Sequence, residues 1–390
     1  MSIKEIDKEY IAHTYGRFDV ALIKGKGSVA VSEDGREYID MATGIAVNTF
    51  GYCDDFWISA VAEQLMELQH TSNLYYTGPC ARLAQLLCER TGMSKVFFSN
   101  SGAEANECAI KAARKYSADK YGADRNVILT LKNSFHGRTI TTLAATGQDN
   151  FHTDFLPLTE GFDYVEANNI DDLVEKTKAD NIAGIMFEFV QGEGGVMPLS
   201  QDFVNKIFEI AEEKDIITIA DEVQTGNGRT GALYAFMNYG VTPDVVSTAK
   251  GLGGGLPLGA TMLGYKVADV YKPGDHGSTF GGNPVCCAGA ISVLNRLDDE
   301  LFAEVCKKSE YIKAELESCA GVESVDGMGL MLGITTKRPV DEVVRECMDE
   351  GVLVIKAKQK LRLLPALNIP WELLKESVEI IKTACDKTEV

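Results

Sequence analysis

Lys250 stands where a lysine can do covalent chemistry. It ends the apolar run Asp244-Val245-Val246-Ser247-Thr248-Ala249, which reads as a short buried strand, and it opens Gly251-Leu252-Gly253-Gly254-Gly255, a stretch almost without side chains. A lysine is rarely buried unless it is paired or chemically used. Its amine forms Schiff bases with carbonyl compounds, and the glycines leave room beside it for a bulky planar partner. The plainer reading is a strand-end lysine whose stem is buried and whose head reaches solvent.

Other segments widen the choice of chemistry. Ile216-Ile217-Thr218-Ile219-Ala220-Asp221-Glu222-Val223-Gln224 places two acids at the C-terminal end of an apolar strand. Ligands of open α/β sheets bind at such ends. A carboxylate there can hold a protonated ring nitrogen, as pyridoxal phosphate (PLP) requires, or act as a metal ligand or helix cap. Ser99-Asn100-Ser101-Gly102-Ala103-Glu104 follows a strand and opens a helix. The free N–H groups of a first helical turn bind anions, and a phosphate suits them. Ser101 with Glu104 also fits a simple capping box, and the two readings are compatible.

Phe135-His136-Gly137-Arg138 joins an aromatic plane to a guanidinium that can grip a carboxylate with two hydrogen bonds. The alternative is a surface loop with a packed Phe. Glu188-Phe189-Val190-Gln191-Gly192-Glu193-Gly194-Gly195 again puts acids around a flexible turn after a strand. Asp275-His276-Gly277-Ser278-Thr279-Phe280-Gly281-Gly282-Asn283-Pro284 is polar and glycine-rich before a helix, and suits a second phosphate contact or a loop against a partner subunit. Gly226-Asn227-Gly228-Arg229-Thr230-Gly231 matches G-x-G-x-x-G, but no clear helix opens at it, so it reads as a turn.

These residues need a scaffold. From about Lys95 onward, strands (Val96–Phe98, Val127–Leu131, Ile182–Val190, Ile216–Ala220, Val245–Thr248) alternate with helices (Ala103–Tyr121, Phe203–Lys214). That alternation predicts a mostly parallel sheet covered by helices. Before it, Ser28–Val31 and Tyr38–Met41 flank the turn Glu33–Glu37. After Pro284 the pattern changes to longer helices (285–318, 340–350) mixed with short strands (Leu330–Ile334, Leu353–Ile355, Leu361–Leu364). This predicts a second, α+β domain, completed by the N-terminal segment.

The chain has 390 residues and a net charge of -19. The length points to two domains, and the acidity argues against nucleic acid as the main partner. No apolar run is long enough to span a bilayer. The 10 cysteines are scattered with no CxxC pair, and the N-terminus carries no signal-peptide pattern. Together these predict a reduced, cytoplasmic protein. Five histidines without an HxxH or HExxH arrangement give zinc little support.

Taken in order, the segments resemble the class III (omega) aminotransferases of PLP fold type I, most closely the acetylornithine branch. The resemblance runs through Asn48, His70–Thr77, Phe98–Asn106, Ser134–Arg138, Gln191–Gly195, Asp221–Gly231, Ala249–Gly255, Gly277–Pro284 and Arg362–Pro365. It implies an α/β large domain over 50–284 and a smaller α+β domain from 1–49 and 285–390. It implies PLP on Lys250, with Asp221 on the ring nitrogen, Gln224 on the ring hydroxyl and Phe135 stacked on the ring. Ser101, Gly102 and Ala103 would cradle the phosphate, joined by Thr279 from the other subunit of a homodimer. Arg138 would bind the distal carboxylate, Ser278 would also contact substrate, and Glu193 with Arg362 would form a switch between substrates.

The implied reaction moves the δ-amino group of N2-acetyl-L-ornithine to 2-oxoglutarate, in arginine biosynthesis. Other omega-amines (ornithine, 4-aminobutyrate, succinylornithine, succinyldiaminopimelate) are alternatives within the class. An aminomutase of the same fold, a nicotinamide-dependent oxidoreductase and a non-enzymatic binding module are the remaining ones. The sequence departs from the family at Tyr52-Cys53-Asp54-Asp55, where a His-Cys-His-Pro type run is usual, and at Pro365-Ala366, where prolines are usually paired. The first departure lies near the mouth of the site and puts substrate preference in question.

Overall fold

Apolar runs that are buried end to end organise the centre of the protein. The computed structural model describes residues 1–387, so the last three residues of the 285–390 segment lie outside the described region. Seven strands form the central sheet: β1 (Lys95–Ser99), β2 (Val127–Leu131), β3 (Phe162–Val165), β4 (Ile182–Phe187), β5 (Ile217–Asp221), β6 (Val245–Thr248) and β7 (Gly259–Leu263). Their spatial order is β1-β7-β6-β5-β4-β2-β3. β6, β5, β4, β2 and β3 pair in parallel, while β7 is antiparallel to both β6 and β1. Every residue of β4, β5, β6 and β7 is buried, as expected when helices cover both faces of a sheet.

The helix Gly102–Tyr121 lies against β7, β6 and β4. Its buried face is built from Ala105, Cys108, Ala109, Ala112 and Ala113, small residues that let the helix axis approach the sheet closely. Ser101 caps it by accepting the N–H of Glu104, and the Glu104 carboxylate accepts the N–H of Asn100.

Two smaller sheets flank this one. Leu22–Lys26, Val29–Ser32 and Glu37–Asp40 form an antiparallel meander to which Val352–Leu353 adds in parallel, tying the two ends of the chain together. Val322–Met328, Met331–Thr336, Lys360–Leu363 and Ile355–Ala357 make a four-stranded antiparallel sheet. The helix Trp371–Asp386 closes the described chain. Among the described residues no helix is long and apolar enough to cross a membrane, and the ten cysteines are all free.

Three segments break where the sequence pattern runs on. Ile182–Val190 is not one strand: β4 stops at Phe187, and Val190–Gln191 pairs with Met197–Pro198 instead. The buried Glu188 carboxylate causes the turn by accepting the N–H of Gly192 at 3.0 Å. The stretch 285–318 is two helices, Pro284–Leu294 and Asp299–Glu317, the second capped by Asp298. Leu353–Ile355 also divides, with Val352–Leu353 in one flanking sheet and Ile355–Ala357 in the other. β7 and the helices Asp55–Glu67 and Gly78–Thr91 had no counterpart in the sequence reading.

Candidate active site

The parallel strands and the start of β7 deliver their neighbouring loops to one edge of the sheet. Ser101–Ala103 follow β1, Phe135–Arg138 follow β2, Glu188 follows β4, Asp221 ends β5, and Lys250 comes just after β6. Gly255–Leu258 lead into β7 from the same edge. All of them line one cavity of about 500 Å³, together with Val47, Asn100, Asn106, Val223, Gln224 and Ala249. Sheet topology therefore gathers residues far apart in sequence.

Lys250 has φ +45, the left-handed region that a lysine adopts only when its surroundings impose it. Among the described residues no hydrogen bond or ion pair holds its amine. Burial lowers its pKa below the ordinary lysine value; Glu193 opposes this, and the Arg362 charge reinforces it.

Asp221 is locked on both oxygens. Its Oδ2 lies 2.7 Å from His136 Nδ1 and accepts Asn106 Nδ2 at 2.8 Å, while Oδ1 accepts the N–H of Val223 at 3.1 Å. Asn106 in turn accepts from Ser247 Oγ at 2.5 Å and donates to the His136 carbonyl at 2.8 Å. Asn106 and His136 were not given roles in the sequence reading. The only signal was a polar side chain on the sheet-facing side of a buried helix and a histidine beside Phe135.

Glu188 is a second missed residue. Its Oε1 accepts the N–H of Phe135 at 2.9 Å and its Oε2 that of Gly192, so one buried carboxylate ties the Phe135–Arg138 loop to the Gln191–Gly195 turn. Burial pushes its pKa up to about 7, an effect reduced by His136 and increased by Asp221.

Arg138 lies with its guanidinium 4.3 Å from the Phe151 ring centroid and 5.6 Å from that of Phe135. Among the described residues no carboxylate pairs with it. Arg362 is different: it is 2% exposed and its Nη1 lies 2.5 Å from Glu193 Oε1 and 3.2 Å from Gln224 Oε1. Burial works to raise the Glu193 pKa, but the Arg362 charge and hydrogen bond outweigh it and hold the group below its usual value. Glu193, Arg362, Ser278 and Thr279 do not line the cavity of the single chain, and Arg362 reaches it through its bond to Gln224. Ser278 Oγ accepts Asn100 Nδ2 at 3.2 Å, and Thr279 is exposed.

The chain matches the family model for class-III aminotransferases over residues 10–385. It is a class-III aminotransferase. The acetylornithine aminotransferase of Haemophilus ducreyi is 48% identical over 381 residues, 97% of each chain. That of Methanocaldococcus jannaschii is 40% identical, covering 98% of this chain and 96% of its own. Among solved structures, the ornithine aminotransferase of Toxoplasma gondii superposes with a TM-score of 0.94 at 30% identity, covering 98% of this chain and 94% of that one. The N-acetylornithine aminotransferase of Stenotrophomonas maltophilia gives 0.84 at 34% identity, with 97% of each chain covered.

The protein is thus a PLP-dependent aminotransferase of fold type I, and the nicotinamide reading of Gly226–Gly231 falls away. That run is an interior turn, in which buried Arg229 donates to the carbonyls of Leu330 and Pro365. The residues present fit PLP. An unpartnered, half-buried amine and a doubly anchored carboxylate share one cavity with the N-terminus of a helix. At that N-terminus a Cβ on Gly102 would come within 2.6 Å of Val223 Cγ1, so the position admits only glycine without a shift.

Proposed function

We propose that this aminotransferase moves the δ-amino group of N2-acetyl-L-ornithine to 2-oxoglutarate, giving N-acetyl-L-glutamate 5-semialdehyde and L-glutamate, as in arginine biosynthesis. The observation that carries this reading is the buried Arg362 paired with Glu193 at 2.5 Å, while Arg138 at the cavity is unpaired. The names of the relatives, 48% and 40% identical, support the same substrate.

Bound PLP supplies an aldehyde that exchanges amines and a ring that takes up the electron pair of a broken C–H bond. Lys250 Nζ, whose pKa burial lowers, would carry the cofactor and take the proton from the substrate's amine-bearing carbon. Asp221, fixed by His136 and Asn106, holds a positive charge on the ring nitrogen. Gln224 would hold the ring hydroxyl and Phe135 would cover the ring. Ser101, Gly102 and Ala103 bind the phosphate through the helix N-terminus.

The two substrates differ at the reacting carbon. N-acetylornithine has no carboxylate there, and an Arg362 left alone would be a buried charge without a partner. Glu193 neutralises it. Glutamate brings its own α-carboxylate, Glu193 swings aside, and Arg362 takes the substrate. Arg138 binds the distal carboxylate in both halves, with Ser278 beside it.

Ornithine itself is a second reading, favoured by the close superposition on the T. gondii ornithine enzyme. It would bring an additional free ammonium. Comparing half-reaction rates with the two amines tests the choice.

We further propose a cytoplasmic homodimer that shares Thr279 across its interface. Tyr76, Leu74 and Met66 are 106%, 87% and 81% exposed, an apolar surface that a second copy would cover. Sedimentation of wild-type protein at micromolar concentration would return a monomer if this is wrong. The chain would divide into a large domain over 50–284 and a small one from 1–49 and 285–390. The parallel pairing of Val352–Leu353 with Glu37–Asp40 supports joining the two ends.

A further inference from the structure

The loop Ala249–Leu258 supplies two parts of the cavity wall, Ala249 and Lys250 at one end and Gly255–Leu258 at the other. Between them Lys250–Leu252 form one 3-10 turn, in which the Leu252 N–H donates to the Ala249 carbonyl at 2.9 Å and the Gly253 N–H to that of Lys250 at 3.1 Å. Lys250, Gly254 and Gly255 have φ of +45, +60 and +127, and four of the positions from 251 to 255 are glycine. A lysine held at positive φ needs surroundings that over-determine it.

Three side chains hold this loop by its carbonyls. Asn227 Nδ2 donates to Ala249 at 3.2 Å, Thr49 Oγ1 to Gly251 at 2.9 Å, and Trp57 Nε1 to Gly253 at 3.0 Å. Thr49 and Asn227 also pack on the loop, at Gly251, where an added Cβ would come 2.8 Å from Thr49 Oγ1 and 3.3 Å from Asn227 Cβ; Trp57 fills the space at Gly254 with its ring. A Cβ on Gly254 would come 2.9 Å from the indole Nε1, and so would one on Gly289 in the helix Pro284–Leu294. The indole is therefore wedged between two backbones that carry no side chain towards it.

Trp57 is itself anchored. Asp54, in the segment that departs from the family, caps the helix Asp55–Glu67 by accepting the Trp57 N–H at 2.9 Å. Asp54 also pairs with Arg296 at 2.8 Å, and that guanidinium lies 3.9 Å from the Phe50 ring centroid.

We propose that Trp57 is a positioning residue for Lys250: its indole N–H and ring fix the glycine loop that presents the lysine amine to the cavity. This rests on reading Lys250 as the amine that carries the cofactor. The chemical step is sensitive to such placement, because small displacements of a reacting group cost large factors in rate. Trp57→Phe keeps most of the ring and loses the donor. Gly289→Ala keeps the indole and presses on it from the other side.

The test has two readouts. On PLP-free full-length protein, hydrogen exchange at the N–H groups of the 250–258 loop, Pro257 having none, is expected to speed up by about tenfold or more in both variants, while β5 stays protected. On the loaded enzyme, kcat is expected to fall about tenfold with KM changed by less than about twofold. Unchanged exchange at 250–258 in both variants, or exchange raised equally throughout the protein with kcat per folded molecule unchanged, would overturn the proposal. Borohydride trapping of PLP, followed by peptide mapping, separates the two levels. If wild-type protein is not modified at Lys250, the reading of the lysine fails and this proposal with it. If it is modified, while exchange and kcat match wild type in the variants, the Trp57 proposal alone fails.

Discussion

Arg362 Nη1 lies 2.5 Å from Glu193 Oε1, and Arg362 is almost wholly buried while the Glu193 side chain keeps 30% exposure. The arginine is enclosed and the glutamate is the more open of the two. The same Nη1 donates to Gln224, and Arg362 Nε has no partner among the described residues, so a second carboxylate has a donor waiting for it.

Glu193→Ala would remove the partner that Arg362 needs when the amine donor has no carboxylate on its reacting carbon. The half-reaction with N-acetylornithine should slow by about tenfold or more, and that with glutamate should change little. Single-turnover rates for each half measure this directly. Equal losses in both would remove the switch from the account.

Asp221→Asn keeps the shape of the carboxylate but not its charge. With His136 and Asn106 still in place, the loss falls on charge stabilisation at the cofactor ring. We expect kcat to fall by about 10²–10³, while the fold, judged by thermal unfolding of the PLP-free protein, changes far less. A variant with near wild-type kcat would mean that Asp221 does not face the ring.

Arg138→Ala should raise KM for every substrate with a distal carboxylate by about 10²-fold, because the lost contact is a charge-assisted pair made in both halves. Phe151→Ala should do the same more weakly, since that ring lies 4.3 Å from the guanidinium and helps to orient it. Steady-state KM values for the amine and for 2-oxoglutarate provide the check.

Glu222 is buried behind the site, bonded to Thr225 and to the N–H of Phe236, and burial pushes its pKa up to about 7. A carboxyl whose folded pKa exceeds its unfolded value of 4.5 binds more protons in the folded state between these limits. Stability from this group is therefore present at low pH and is lost as pH rises from about 4.5 towards 7. Glu222→Gln should flatten the fall in Tm of the PLP-free protein across that window. An unchanged slope would show that Glu222 does not titrate there.

Much of the cavity was legible because its chemistry travels in short runs. Lys250 before its glycines, Asp221 at the end of an apolar strand, and Ser101 opening a helix each declare themselves within a few residues, and all three line the cavity. Asn106, His136 and Glu188 do not, because their partners stand 115, 85 and 53 positions away in sequence. Only the parallel order of β1, β2, β4 and β5 brings them together. The fold was legible to a similar degree. Alternation predicted the parallel sheet, but the antiparallel β7 emerges from a glycine and proline loop with no periodic signal, and Glu188 ends β4 by a side-chain bond that hydrophobicity does not reveal.

The most direct test of the central claim mixes the PLP-loaded enzyme with one amine at a time and follows the cofactor's visible absorbance through a single turnover. N-acetylornithine should convert it fastest, with ornithine and 4-aminobutyrate slower, and 2-oxoglutarate should restore the starting spectrum. Conversion faster with ornithine would contradict the substrate assignment, and no conversion with any amine would contradict the role of Lys250.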